Sequence, residues 1–405
     1  MNGERRLDAA QKPRPLNYRT YSARSKFVDS SALMKLAWQN IVHDRARFSV
    51  TVLGVSFAVF LMVFQGSLLV GFLRAASRLI DASDSDIWIT ARGVQAFEFG
   101  TPIEGRVREM AAGVPGVLET SRVCMAFAVY RTPNGKQQVV ALVGADRNAG
   151  ERFPVPDVPG SPEGISPDAV LYDVSDRELI QVTALPAEVE VNRHRARIER
   201  QINGYGAFLG VPFLFTSYRN ASRYMGAGPE EAMFVLLRVD KGYSTSDVQQ
   251  SLRQRFPEVD VLTRDEFARK SRTYWTIKTG AGGAILTAAV LGFLIGLVVV
   301  SQTIYANTME NIEEYATLKA LGASQAFVAR IVLTQALICG AVGSILGLLA
   351  VVPSISYAKS LIPWIYTPWW LLLVMVVPSL AMCSLASIAS VRSALTVEPG
   401  RVFRA

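Results

Sequence analysis

FSVTVLGVSFAVFLMVFQGSLLVGFL, residues 48–73, contains no Asp, Glu, Lys or Arg. As a helix rising 1.5 Å per residue it is longer than the ~20 residues needed to cross a hydrocarbon core. Three more charge-free runs follow, at 279–309, 331–358 and 360–391. Burying four such runs in a water-soluble protein would need an implausibly large core. The expected fold is therefore an α-helical membrane protein with four transmembrane helices and an α+β domain inserted between the first and second, at 74–278. Composition agrees: of 405 residues, 50% are hydrophobic and only 19% charged, below the ~25% charge of an ordinary soluble domain.

The formal charge of +8 is concentrated. Residues 1–47 hold much of it, including Arg5, Arg6, Lys26, Lys35, Arg45 and Arg47. Clustered cations suit nucleic acid or an anionic membrane face. The apolar run that starts straight after Arg47 favours the lipid bilayer as partner and gives no reason to expect nucleic acid. The tail at 392–405 carries Arg392, Arg401 and Arg404. By the positive-inside rule both ends face the cytoplasm, and an even number of spans agrees. The insert 74–278 is then expected to lie outside and the short loop 310–330 inside. That loop owes its side to topology, because Glu310, Glu313 and Glu314 outnumber Lys319.

The first thirty residues are polar, with no apolar core for a cleavable signal, so 1–30 reads as a cytoplasmic extension and the first span as an uncleaved anchor. Between them, Leu33, Met34, Leu36, Ala37, Trp38, Ile41 and Val42 recur at helical spacing, predicting an amphipathic interfacial helix over 31–47. Aromatic anchors are expected at the outer interface: Tyr274 and Trp275 on the second span, and Trp364, Tyr366, Trp369 and Trp370 near the fourth. Gly292/Gly296 and Gly343/Gly347 have the spacing that lets helices approach closely. The spans carry no ionisable side chain, which removes support for ion-coupled transport or conduction.

In 74–278, short apolar or alternating runs at 86–90, 125–131, 138–144 and 232–239 read as strands, and 102–112 and 246–256 as helices. TPNG at 132–135 predicts a hairpin turn. The Pro/Gly-rich stretch 154–167 reads as a joint between two subdomains. Thr263 and Glu266 have capping-box spacing. A helix begun there and unbroken through Tyr274 to Met309 would measure about 69 Å, projecting as a rigid stalk unless Gly280, Gly282 and Gly283 kink it.

Chemistry is sparse. No phosphate-binding loop, GxSxG, HExxH or dinucleotide fingerprint occurs. His43 and His194 are the only histidines, and Cys124, Cys339 and Cys383 have no metal-ligand or CxxC spacing. No catalytic, metal or cofactor site is expected, and the chain is read as no enzyme. The run Arg193, Arg195, Arg197, Arg200 is either a solvated face or an anionic-headgroup site.

The inner loop is the informative segment. MENIEEYATLKALGAS, 309–324, reads as a short helix ended by Gly322, with Ser324 capping the next one. An amphipathic helix between spans suits docking into a groove on a partner. This segment resembles the loop after the second span in the FtsX/MacB-like permease superfamily of ABC transporters, and EEYATLKALGAS at 313–324 looks most like the DevC-type branch. LAWQNIVHDRARFSVTVLGVSFAV at 36–59, RVREM at 106–110 followed by GVPGVLETS at 113–121, and VRSALTVEPGRVFRA at 391–405 are similar to other parts of that family. The resemblance implies an ABC exporter permease that acts as a homodimer with a separate ATPase, which binds ATP and Mg. It implies that Glu310, Glu313, Glu314, Tyr315, Leu318, Lys319, Leu321 and Gly322 couple to that ATPase. It further implies a periplasmic membrane-fusion protein and an outer-membrane channel as partners, and mechanotransmission that moves a hydrophobic or lipid-like substrate. The rival expectation is a non-transporting relay controlling a periplasmic cell-wall hydrolase.

Overall fold

The computed structural model describes residues 45–146, 168–226, 228, 231–320 and 322–396. The extension 1–30, all but the end of the predicted interfacial helix 31–47, the joint at 154–167, Leu321, and residues 397–405 of the tail lie outside the described residues. In chain order come α1 (Arg45–Ala75), α2 (Arg78–Asp81), β1 (Ile87–Ala91), α3 (Arg106–Ala112), β2 (Val117–Arg131), β3 (Gln137–Ala145), β4 (Ala169–Asp173), α4 (Arg177–Ile180), β5 (Ala187–Val191) and β6 (His194–Ile202). There follow β7 (Phe213–Ser217), α5 (Tyr218–Met225), β8 (Phe234–Val239), α6 (Thr245–Arg255), β9 (Val259–Thr263), α7 (Arg264–Thr273), α8 (Ala281–Glu310), α9 (Ile312–Ala320), α10 (Gln325–Leu361) and α11 (Trp369–Thr396).

Four of these helices are long and apolar enough to span a bilayer: Phe48–Ala75, Ala281–Glu310, Gln325–Leu361 and Trp369–Arg392. The third is longer at both ends than its charge-free run. It passes Lys359 to Leu361, so the expected start of the fourth span at Ser360 is corrected to Trp369. The intervening 362–368 carries no charge either, which is why charge alone misplaces the boundary. The bundle core joins Val55, Val59 and Val63 of α1 to Val300, Ile304, Ala336, Val351, Met382 and Cys383.

Small residues set the helix spacing. A Cβ added at Gly343 would stand 2.6 Å from Val55, and one at Gly347 2.7 Å from the Ser56 carbonyl, so α10 lies flush on α1. At Gly296 it would stand 2.7 Å from Ala58. A Cβ added at Gly292 would meet nothing within 4 Å among the described residues. Ser344 and Ser379 hydroxyls bond across α10 and α11 at 2.9 Å.

The inserted domain is one continuous sheet with two parts. β2 pairs with β3, which continues through β7, β4, β6 and β5 back to β2, closing a six-stranded barrel. The first half of β2 pairs instead with β8, and β8, β1 and β9 extend an open sheet. Period-2 alternation puts both faces of the open sheet to use. Ile87 and Ile89 face α3 and α6 with Val107, Val248 and Leu252, whereas Trp88 faces α7 with Phe97, Phe234 and Phe267. TPNG forms the turn between β2 and β3, with Thr132 N–H donating to Lys136 O at 2.8 Å and Gly135 at φ +81°.

The basic run lies on the β5–β6 turn and along β6, which is paired on both sides by β4 and β5. Ala196 and Ile198 enter the barrel core, while Arg195 points outward to Glu188. Such a row is the solvent face of a strand.

The capping box forms: Thr263 Oγ1 accepts from Glu266 N–H at 3.2 Å, and Glu266 accepts from Thr263 N–H at 2.8 Å. The stalk it was expected to start is broken. A π-helical turn at Tyr274–Lys278 and Gly280 at φ +74° separate α7 from α8. A left-handed residue cannot continue a right-handed helix.

Candidate functional site

α8, 30 residues long, extends about 45 Å, so α9 lies at the opposite end of the bundle from the inserted domain. Asn311 ends α8, its side-chain amide donating to Asn307 O at 3.0 Å, and its own carbonyl receives Tyr315 N–H. The turn that follows α9 has the Schellman pattern: Ala323 N–H reaches Leu318 O and Gly322 N–H reaches Lys319 O, both at 3.0 Å, with Gly322 at φ +93°. Ser324 then caps α10, accepting from Phe327 N–H. Both ends of α9 are thus fixed by the sequence itself.

The predicted coupling residues divide into two groups. Glu310, Glu313, Glu314 and Gly322 are exposed. Tyr315 is buried, with Leu318 beside it, against Val328, Ile331 and Val332 of α10. Its hydroxyl donates to Gln335 Oε1 at 3.1 Å. Burial pushes that hydroxyl up to about 12, so it remains a neutral donor. Tyr315 and Leu318 hold α9 on α10, leaving the acidic side chains to face outward; Lys319 is half-buried. Gln335 was not picked out from sequence, although a lone amide within a charge-free run is a signal of a built hydrogen bond.

At the other end of the bundle, an apolar joint ties the domain to the membrane helices. Phe72 and Ala76 of α1 join the same core as Phe97, Phe208, Phe213, Trp88 and Phe267, with Trp275 and Trp364 packed on it. Two of the expected interfacial aromatics therefore serve this joint. Trp275 donates its indole N–H to Glu98 at 3.0 Å and stands edge-on to Phe208 at 5.0 Å; Trp364 stands edge-on to Phe72 at 5.9 Å. Tyr274 leans on Phe99, and Tyr366 lies beneath the Arg74 guanidinium at 4.2 Å. Trp369 and Trp370 are exposed.

The joint is tight. A Cβ at Gly71 would meet Trp364 O at 2.4 Å, and the cavity between Phe97, Phe208, Phe213 and Trp364 is only about 20 Å³, room for a single water. Glu98 borders it, and burial raises its carboxyl to about 7 despite the Trp275 hydrogen bond.

The inserted sheet domain and the short helix α9 thus stand at opposite ends of a bundle of four helices long and apolar enough to span a membrane. Residues 286–399 match the model of the FtsX-like permease C-terminal family, a stretch that takes in α9 and the last two spans. Over those residues the chain is similar to FtsX-like permeases. It is 21% identical over 383 residues to an uncharacterized ABC transporter permease of Mycobacterium tuberculosis, strains CDC 1551 / Oshkosh and H37Rv, covering 92% of this chain and 98% of the relative. Among solved structures, the periplasmic region of MacB from Actinobacillus actinomycetemcomitans aligns with TM-score 0.34 and 9% identity over 46% of this chain and 92% of that one. The extracellular domain of the noncanonic ABC-type transporter YknZ from Gram-positive bacteria aligns with TM-score 0.32 and 10% identity, over 44% and 98%.

Proposed function

We propose that this chain is the membrane subunit of an ATP-driven exporter of the DevC/MacB type, acting as a homodimer that passes ATPase motion to a periplasmic domain and moves a hydrophobic or lipid-like substrate. Both chain ends and α9 are cytoplasmic in this reading, supported by the basic residues that flank the first and last spans. ATP and Mg bind on the separate ATPase. A membrane-fusion protein and an outer-membrane channel complete the export route.

One observation carries the proposal: α9 is a short helix pinned through Tyr315 to α10, presenting Glu313 and Glu314, with Glu310 at the end of α8 next to them, at the end of the bundle away from the inserted domain. Such a helix transmits a push because its inner face cannot slide without breaking a buried hydrogen bond. Away from their ends the spans carry no charged side chain to line a path for an ion or polar solute, which favours work done outside the bundle.

The test is co-purification with the ATPase. Glu313→Lys with Glu314→Lys should weaken association by about tenfold through charge reversal at the rim of the contact; association unchanged in the double variant removes the docking assignment. The relay reading uses the same helix. A fusion protein among the co-purifying partners supports export, and a cell-wall hydrolase in its place supports the relay.

A further inference from the structure

Where the inserted domain meets the bundle, the ends of α1 and α10 and two loops around Gly204 and Trp364 enclose an open cleft of about 280 Å³. Its wall holds three cations, Arg74, Arg78 and Lys359, and one carboxylate, Asp173. Asp173 is committed elsewhere. One oxygen accepts from the Ser175 N–H at 2.9 Å and from its hydroxyl at 2.6 Å, and the other accepts from Tyr205 N–H, which fixes the loop.

The cations are held in place without being neutralised. Arg74 lies over Tyr366 at 4.2 Å and Arg78 over Tyr205 at 5.5 Å. Among the described residues no ion pair joins any of the three to a carboxylate. Burial, and then repulsion from Arg74, push Arg78 below the ordinary guanidinium range, with Asp173 only partly opposing them. A Cβ at Gly204 would stand 3.2 Å from Arg78 Nη2, so glycine keeps the approach to that guanidinium clear. Asn203 and Ser175 add neutral polar groups to the wall. Cations gathered at this end of the bundle also run against the bias that concentrates them at the other end.

Size and position narrow the ligand. The cleft is near the lower end of the ~300–1,000 Å³ typical of ligand pockets, which suits a headgroup and excludes a whole lipid. The cleft lies where the spans α1 and α10 end, so a molecule whose headgroup sits in it can keep its tails in the bilayer. We propose that this cleft binds the anionic headgroup, phosphate or carboxylate, of a membrane amphiphile whose tails remain in the bilayer. The assignment deepens, and rests on, the reading of the chain as an exporter of a lipid-like substrate.

The test uses the full chain in phosphatidylcholine nanodiscs doped with phosphatidylglycerol, with retained lipid measured by native mass spectrometry. Wild type should retain phosphatidylglycerol in preference to phosphatidylcholine. Arg74→Gln with Arg78→Gln should reduce that retention by about tenfold, the worth of one charge-assisted hydrogen bond. Lys359→Gln, at an exposed position, should reduce it by a smaller factor in the same direction. Equal retention by wild type and all variants overturns the site. Displacement of the lipid by inorganic phosphate, or by an acidic peptide, at matching concentration overturns the amphiphile as its ligand. The exporter reading fails on a different measurement: with the ATPase present, it is lost if ATP releases no bound lipid from vesicles while retention still discriminates the variants.

Discussion

Two buried polar side chains show how single residues set the behaviour of this protein. Tyr315 and Gln335 make one hydrogen bond at 3.1 Å where α9 meets the bundle. Tyr315→Phe leaves the Gln335 oxygen buried without its donor, at a cost of about 1–3 kcal/mol. Thermal unfolding in detergent should show a lowered Tm, and Gln335→Leu in the Tyr315→Phe background should recover most of it, because removing both partners leaves no orphan. A Tm indifferent to Tyr315→Phe would mean that α9 is held by its apolar contacts alone. Glu98 acts on the other end of the molecule. Burial raises its carboxyl from 4.5 to about 7, so the native joint prefers the protonated form. Stability from this group is full below about 4.5 and is lost as pH climbs to about 7. Asp176, raised to about 7 by burial, acts in the same sense. Tm should therefore fall across that window, and Glu98→Gln should flatten the fall without abolishing it; an unaltered slope in the variant would assign the effect entirely to Asp176 and other groups.

Among the elements, helix packing divides the two glycine pairs that look equivalent in sequence. Gly347 sits 2.7 Å, measured from an added Cβ, from the Ser56 carbonyl, which is backbone and cannot turn aside, while Gly292 meets nothing within 4 Å. Gly347→Ala should cost about 1–3 kcal/mol by overpacking and lower Tm. Gly292→Ala should leave the isolated chain unharmed. A drop in Tm for Gly292→Ala that depends on protein concentration would instead place this face in the proposed homodimer contact. The spacing alone could not separate these cases, because it records which residues share a helix face and not what stands opposite. The same limit explains the rest of the sequence reading. The long charge-free runs announced the bundle, since a span's signal is local composition. The barrel strands β4, β5, β6 and β7 were not recognised, because their pairings cross long stretches of chain and β6 carries arginines at alternate positions that read as a basic run until Ala196 and Ile198 are seen to face the core. Residues of α9 were legible as a helix with caps, but its division into an anchoring and an exposed face needed α10 in view.

For the molecule as a whole, the route from α9 to the inserted domain does not run along one rod. α7 and α8 are separated by the π-turn and Gly280, so a force carried by α8 cannot pass straight into the domain as through a rigid bar. On the proposed coupling it would cross the packed joint, where Trp275 bridges the π-turn to Glu98 and Phe208, and where α1 enters the same core through Phe72. The interior of this joint of close-packed aromatic rings has little slack: the cavity between Phe97, Phe208, Phe213 and Trp364 has room for about one water. On the proposed coupling, the break at Gly280 would allow bending between the bundle and α7 while the joint keeps α1 fixed to the domain. Trp275→Ala tests this division. It removes a half-buried aromatic, for about 2 kcal/mol of local stability by cavity formation, and leaves α9 untouched. Association with the ATPase should be unchanged and the domain should still unfold as a separate cooperative unit. The distance change between spin labels on the domain and on the exposed face of α8 when ATP is added should shrink or vanish. A full ATP-driven distance change in Trp275→Ala would show that motion reaches the domain through α1 alone, and the joint at Trp275 would then serve only to seat the domain on the membrane.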